Sequence, residues 1–176
     1  MAKSFGQDTQ LTNRFVVMKI SSNFDSGNIK VIEATDPLNI QLEINKDHQS
    51  EFYQWFHFRL ETTPYQLHQL NINNLDKSAY PDGWVDYQAV ASYDRQTWFR
   101  VPSSYENGTL TFELEPECSS VYFAYFAPYS YDRHLDLLSW AQSQELCQLE
   151  TLGQTLDGRD MSVLKIGQPS ADKKII

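Results

Sequence analysis

The sequence predicts a mainly β protein: an antiparallel β-sandwich of about eight or nine short strands, followed by one helix and a hairpin. Three observations carry that reading. Between residues 15 and 127, apolar or alternating runs are broken by turn chemistry roughly every 8–12 residues. The apolar spacing then changes from that of a strand to that of a helix at Tyr131. Finally, residues 121–127 read Val-Tyr-Phe-Ala-Tyr-Phe-Ala without a polar break. A strand with one wet face alternates, so this one is expected to be covered on both faces.

Residues 1–13 are polar and unpatterned, a tail. Residues 15–20 make a first strand, Ser26-Gly27-Asn28 a turn, and residues 29–34 a second strand. After the turn at Asp36-Pro37, Ile40, Leu42 and Ile44 alternate with Gln41, Glu43 and Asn45 as in a half-buried strand. Residues 53–61 repeat that logic with larger side chains: Phe56, Phe58 and Leu60 face one way, and Trp55, His57 and Arg59 the other. The second set reads as the solvated side of a sheet, with a binding surface as the alternative. In residues 65–71 the apolar parity changes between Leu67 and Leu70, which predicts a bulge or kink. Tyr80-Pro81-Asp82-Gly83 is turn chemistry, and residues 85–93 and 98–101 read as strands. Asn107-Gly108, the strongest hairpin signal, precedes the alternating Leu110, Phe112 and Leu114. Pro128 ends the strand from Val121, and Ser130 is placed as a helix N-cap with Asp132 in the first turn. Tyr131, Leu135, Leu138 and Ala141 share a helical face that Leu137 and Trp140 widen. Residues 147–154 and 161–166 are strands around Asp157-Gly158, and Ile175-Ile176 opens another apolar run. The expected domains are a tail at 1–13, a sandwich at 14–130, a connecting helix at 131–146, and the beginning of a further domain at 147–176.

With 41% hydrophobic and 14% aromatic residues the chain can build a real core, and its formal charge of −9 argues against nucleic acid or an anionic membrane as partner. No export signal or membrane span is expected, which makes the cytoplasm the default address. Cys118 and Cys147 are then expected to be two buried, reduced thiols.

Several segments resemble one family and come in its order. They are Phe24-Asp25-Ser26-Gly27-Asn28, Gln54-Trp55-Phe56-His57-Phe58, Trp98-Phe99-Arg100, Tyr122-Phe123-Ala124-Tyr125 with Pro128-Tyr129-Ser130-Tyr131, and Gly153-Gln154-Thr155-Leu156-Asp157-Gly158-Arg159-Asp160. From about Met18 onward the chain resembles the N-terminal region of cytosolic-type zinc carboxypeptidases, relatives of carboxypeptidase A. The resemblance implies a β-sandwich N-domain joined to an α/β zinc-peptidase domain that removes C-terminal residues from peptides. The final hairpin would begin that domain, and the His-Pro-Gly-Glu zinc motif would lie beyond Ile176. Zinc is thus implied for the parent and none for this chain. The implied partners are the catalytic domain of the same polypeptide, met through Tyr125, Tyr129 and Tyr131, and a peptide substrate.

The residues themselves assign no catalytic, cofactor-binding or metal role within the chain. His48 and Glu51 have zinc-ligand spacing, but they lack an intervening Pro-Gly and lie in a polar loop. His57, His68 and His134 have no ligand-like spacing, and no Ser-His-Asp set, phosphate loop or Cys-x-x-Cys is present. Asp94, Arg95 and Arg100 read as rim ion pairs of small value. The aromatic excess leaves a second reading, a self-contained β-sandwich module that binds carbohydrate or protein.

Overall fold

The computed structural model describes residues 18–168 and 170. The chain divides into two compact units, one running to Ala127 and the other starting at Pro128.

The first unit is a β-sandwich of two five-stranded sheets. One sheet has the order β1 (Lys19–Ser21), β4 (His57–Glu61), β10 (Ser120–Ala124), β6 (Val90–Ser92), β7 (Phe99–Arg100), with antiparallel neighbours throughout. The other has the order β2 (Lys30–Glu33), β3 (Ile40–Glu43), β5 (His68–Ile72), β9 (Thr109–Leu114), β8 (Ser103–Glu106). Here β3 and β5 run parallel, with Ile40 opposite Leu70 and Leu42 opposite Ile72. The chain leaves β3, crosses to the first sheet for β4, and returns to β5 from the same end, so one parallel pair enters an otherwise antiparallel sandwich.

Strand alternation fills the space between the sheets. Phe56, Phe58 and Leu60 meet Val121 and Phe123 within the first sheet, and face Ile40, Leu42, Leu70, Ile72, Leu110 and Phe112 from the second. The Phe123 ring lies 5.3 Å from both Phe58 and Phe112. Full burial of such a side chain stabilises the fold by about 1.5–3 kcal/mol. The β8–β9 hairpin turns at Asn107 (φ 50°) and Gly108 (φ 82°), the left-handed pair that a two-residue turn requires. The polar strand β8 escaped the sequence reading because Ser103, Ser104 and Glu106 give no apolar alternation.

Two local expectations are corrected. No bulge interrupts β5, whose pairing with β9 runs unbroken from His68–Leu114 to Ile72–Leu110. Leu67 lies outside the strand and is exposed, which explains the parity change. Residues 85–89 do not join β6: Trp84 is drawn into the core, and Asp86 takes a left-handed φ of 58° that breaks the extension.

The second unit holds α1 (Tyr131–Gln142) and the hairpin of β11 (Cys147–Gln154) and β12 (Asp160–Ile166). Ser130 caps the helix, its Oγ accepting from the Arg133 amide at 3.3 Å. Only Leu138 and Ala141 of the expected helical face are buried; Leu135, Leu137 and Trp140 stay exposed. The cysteines are free, but Cys118 is exposed and Cys147 half-buried, which corrects the expectation of two buried thiols. Cys118 sits between Glu117 and Ser119 in the bend before β10.

Candidate functional site

The outward side of β4 is not the solvated face its sequence suggests. His57 is completely buried there (0% exposed), and Trp55 and Arg59 are half-buried. The cover is the loop formed by residues 22–28. Gly27 permits it, since a Cβ at that position would sit 1.9 Å from the Ser22 carbonyl oxygen. Ser26 is left-handed (φ 64°), its carbonyl accepting from Trp55 Nε1 at 2.7 Å and its hydroxyl lying 3.0 Å from His57 Nδ1. Asn28 closes the loop. Its backbone pairs both ways with His57, and its amide donates to the carbonyls of Trp55 and Asn45.

Aromatic rings surround the imidazole. Phe24 lies 4.8 Å away edge-on, Trp98 5.8 Å, and Trp55 and Tyr122 6.1 Å each. Phe126 lies 5.0 Å from Trp55 and is itself exposed. Arg95, also left-handed (φ 62°), lays its guanidinium over Phe24 at 5.7 Å and Tyr122 at 5.4 Å. Asp94 shapes that loop rather than pairing with an arginine: its carboxylate accepts from the amides of Gln96 and Thr97 and from the Ser92 hydroxyl. Those amide hydrogen bonds lower its pKa to about 2. Arg100 donates to the Gln88 carbonyl, and Arg59 pairs with Glu61.

Four segments that are separate in sequence thus converge on one imidazole: 24–28, 54–58, 98–100 and 122–125. The motifs were legible one by one, but that they meet was not. Burial, and then the Arg95 charge, push the His57 pKa down to about 4 against a small opposing pull from Asp25. Ser26 and His57 stand as a hydroxyl and a base do, yet so acidic an imidazolium marks a weak base near neutrality, and no carboxylate orients Nε2.

The remaining sequence candidates lie elsewhere. Tyr125 packs within the sandwich, stacked on Tyr87 at 5.0 Å and edge-on to Trp84 at 5.2 Å, and its carbonyl accepts from Tyr87 Oη at 2.5 Å. Burial raises the Tyr87 pKa far above the ordinary phenol value. In the second unit, Tyr129 is exposed beneath Arg133, and Tyr131 is half-buried with Arg159 at 4.7 Å over its ring. His48 and Glu51 share an exposed loop, where Glu51 pairs with Lys46. Among the described residues no three His, Cys, Asp or Glu side chains gather as a metal site. Nor is any helix among them long and apolar enough to cross a membrane.

A family model described as the cytosolic carboxypeptidase N-terminal domain matches residues 20–126. The chain belongs to this family. Its matched span takes in the whole His57 cluster, from Phe24 to Phe126. Among solved structures, a metallo-carboxypeptidase from Pseudomonas aeruginosa in complex with (2-guanidinoethylmercapto)succinic acid is 46% identical. It superposes with a TM-score of 0.80 over 88% of this chain and 41% of that one. An uncharacterised protein of Zymomonas mobilis is 44% identical over 153 residues, 87% of this chain and 40% of that protein. Human cytosolic carboxypeptidase 2 is 28% identical over 174 residues, 85% of this chain and 19% of its own length. The cytosolic carboxypeptidase N-domain fold seen here therefore spans well under half the length of these relatives.

Proposed function

We propose that the chain is the N-terminal β-sandwich of a cytoplasmic, zinc-dependent metallocarboxypeptidase that hydrolyses C-terminal residues from peptides or proteins. The observation that carries this reading is the family match over residues 20–126, joined to a 46% identical metallo-carboxypeptidase of which this chain covers 41%. Zinc and its ligands belong to polypeptide beyond residue 176. There the metal would polarise the scissile carbonyl and activate water, with a glutamate as base. The second unit, an amphipathic helix on a two-stranded hairpin with Leu152, Leu156 and Ile166 exposed, is the opening of that catalytic domain. In this reading Tyr125, Tyr129 and Tyr131 would meet the catalytic domain. The sandwich supports and shapes the entrance through which peptide tails pass. Metal analysis tests the division of labour: the full-length gene product should carry about one zinc per chain, and residues 1–176 none. Stoichiometric zinc on residues 1–176 would overturn it.

A further inference from the structure

The cover over His57 is thin. Residues 22–28 join β1 to β2 as one pass of chain, in which Asn23 is exposed and the rest are half-buried. A single isolated bridge ties it to β4: the Asn28 N–H donates to the His57 carbonyl at 2.9 Å, and the His57 N–H donates to the Asn28 carbonyl at 3.1 Å. Side chains add the Trp55 indole bond to the Ser26 carbonyl and the Asn28 bonds to Trp55 and Asn45. Left-handed Ser26 is a standing conformational cost that lifting the loop relieves. The core does not depend on this cover, because Phe56, Phe58 and Leu60 point from the other face of β4 into the sandwich. A segment with few buried contacts over an intact core opens at less cost than the whole domain.

What lies beneath accepts a neutral ring and not a charged one. A protonated imidazole carries two N–H donors. The Ser26 hydroxyl stands 3.0 Å from Nδ1, while Nε2 is buried with no partner among the described residues. The charged groups that act on the ring are Arg95, from the segment between β6 and β7, and Asp25, from the loop itself. Arg95 outweighs Asp25, and its guanidinium lies over Phe24 and Tyr122, two of the rings packed on the imidazole. Asp94 is turned to the amides of its own loop, Arg59 is paired with Glu61 along β4, and Tyr122 adds a phenol from β10. Burial, and then Arg95, accordingly hold the His57 pKa down at about 4.

We propose that residues 22–28 are an acid-released latch: protonation of His57 lifts the loop from β4 while the sandwich stays folded. Once the loop lifts, the hydrated imidazole regains its ordinary value of 6.5 and takes up a proton that the closed site excludes. Acid therefore favours the open form, by about 20-fold in the opening equilibrium between pH 7 and pH 5. Opening withdraws Phe24 from the imidazole and frees the Trp55 indole, so the first sheet shows a different outer surface in acid.

Amide hydrogen exchange of the full-length gene product, resolved to single residues by mass-spectrometric fragmentation and corrected for intrinsic rates, tests the latch. The Asn28 and His57 amides report the bridge, and the Leu75 amide, which donates to the Gly108 carbonyl, reports the second sheet. From pH 7 to pH 5 the protection of Asn28 and His57 should fall about 20-fold, whereas in His57→Gln it should fall less than about threefold. Urea kept below the unfolding transition separates lifting from unfolding. It should weaken protection at Leu75 with the slope of global unfolding, and at Asn28 and His57 with under about a third of that slope. Protection of the bridge that is indifferent to pH would overturn the proposal. So would a bridge whose urea slope equals that of Leu75, or one that responds to acid equally in the variant. If His57→Gln fails to fold, the wild-type pH and urea dependences decide between these outcomes by themselves.

Discussion

His57 gives the sharpest handle on the sandwich. Its imidazole has no exposure, and its pKa is about 4 in the fold against 6.5 in an unfolded chain. Between those values the unfolded chain binds a proton that the folded one excludes. Stability is therefore full above about pH 6.5 and falls as acid is added, by up to about 1.4 kcal/mol per pH unit, levelling off near pH 4. Integrated from pH 8 to 4.5, the loss from this residue alone is about 2.5 kcal/mol. His68, buried against Thr62, is shifted in the same direction, so the wild-type slope contains both. Asp94 and Glu33 are shifted down, and what they contribute is lost only once the pH drops below the ordinary carboxylate range. A His57→Gln variant isolates the term: it keeps a polar group near Ser26 and cannot titrate. Urea unfolding of both proteins at pH 8, 6.5, 5.5 and 4.5 should show wild type losing about 2.5 kcal/mol more than the variant over that range. Parallel pH profiles would mean that the imidazole is hydrated and free to charge, and the sealed aromatic site would be wrong.

Other substitutions probe the elements that build the site. Gly27→Ala should cost at least about 2 kcal/mol in urea unfolding, because the new methyl meets the Ser22 carbonyl oxygen at 1.9 Å and the covering loop must move. Phe123→Ala, which empties the contact between Phe58 and Phe112, should cost about 3–5 kcal/mol. Ser130→Ala removes the helix cap and should lower the stability of the second unit by about 1 kcal/mol, seen as faster amide exchange in the first turn of α1.

Much of the fold could be read because the physics that sets it is local. Ile40, Leu42, Phe56, Phe58, Leu110 and Phe112 announce their buried faces by strand alternation, and Asn107-Gly108 announces its turn by chemistry. The β8 strand was invisible because an edge strand of serines and glutamate owes its place to β9 and not to its own pattern. The parallel β3–β5 pair was invisible for another reason, since no local signal records a crossing between sheets. The His57 site shows the same limit. Trp55-Phe56-His57 and Phe24-Asp25-Ser26-Gly27-Asn28 each stood out, but alternation alone left Trp55, His57 and Arg59 facing water. Only the close approach at Gly27, a long-range fact, places the loop over them. The apolar run from Val121 to Ala127 is explained in part by the same cover. Val121 and Phe123 fill the sandwich, while Tyr122 lies beneath Phe24 and Arg95 on the other side.

The most direct measurement of the central claim is the release of C-terminal amino acids from peptides by two preparations side by side, the full-length gene product and residues 1–176. The full-length protein should release them, lose that activity to a chelator and regain it with zinc, while residues 1–176 release nothing. Release by residues 1–176 alone, or a full-length protein inert with zinc on every peptide offered, would contradict the assignment of this sandwich to a metallocarboxypeptidase.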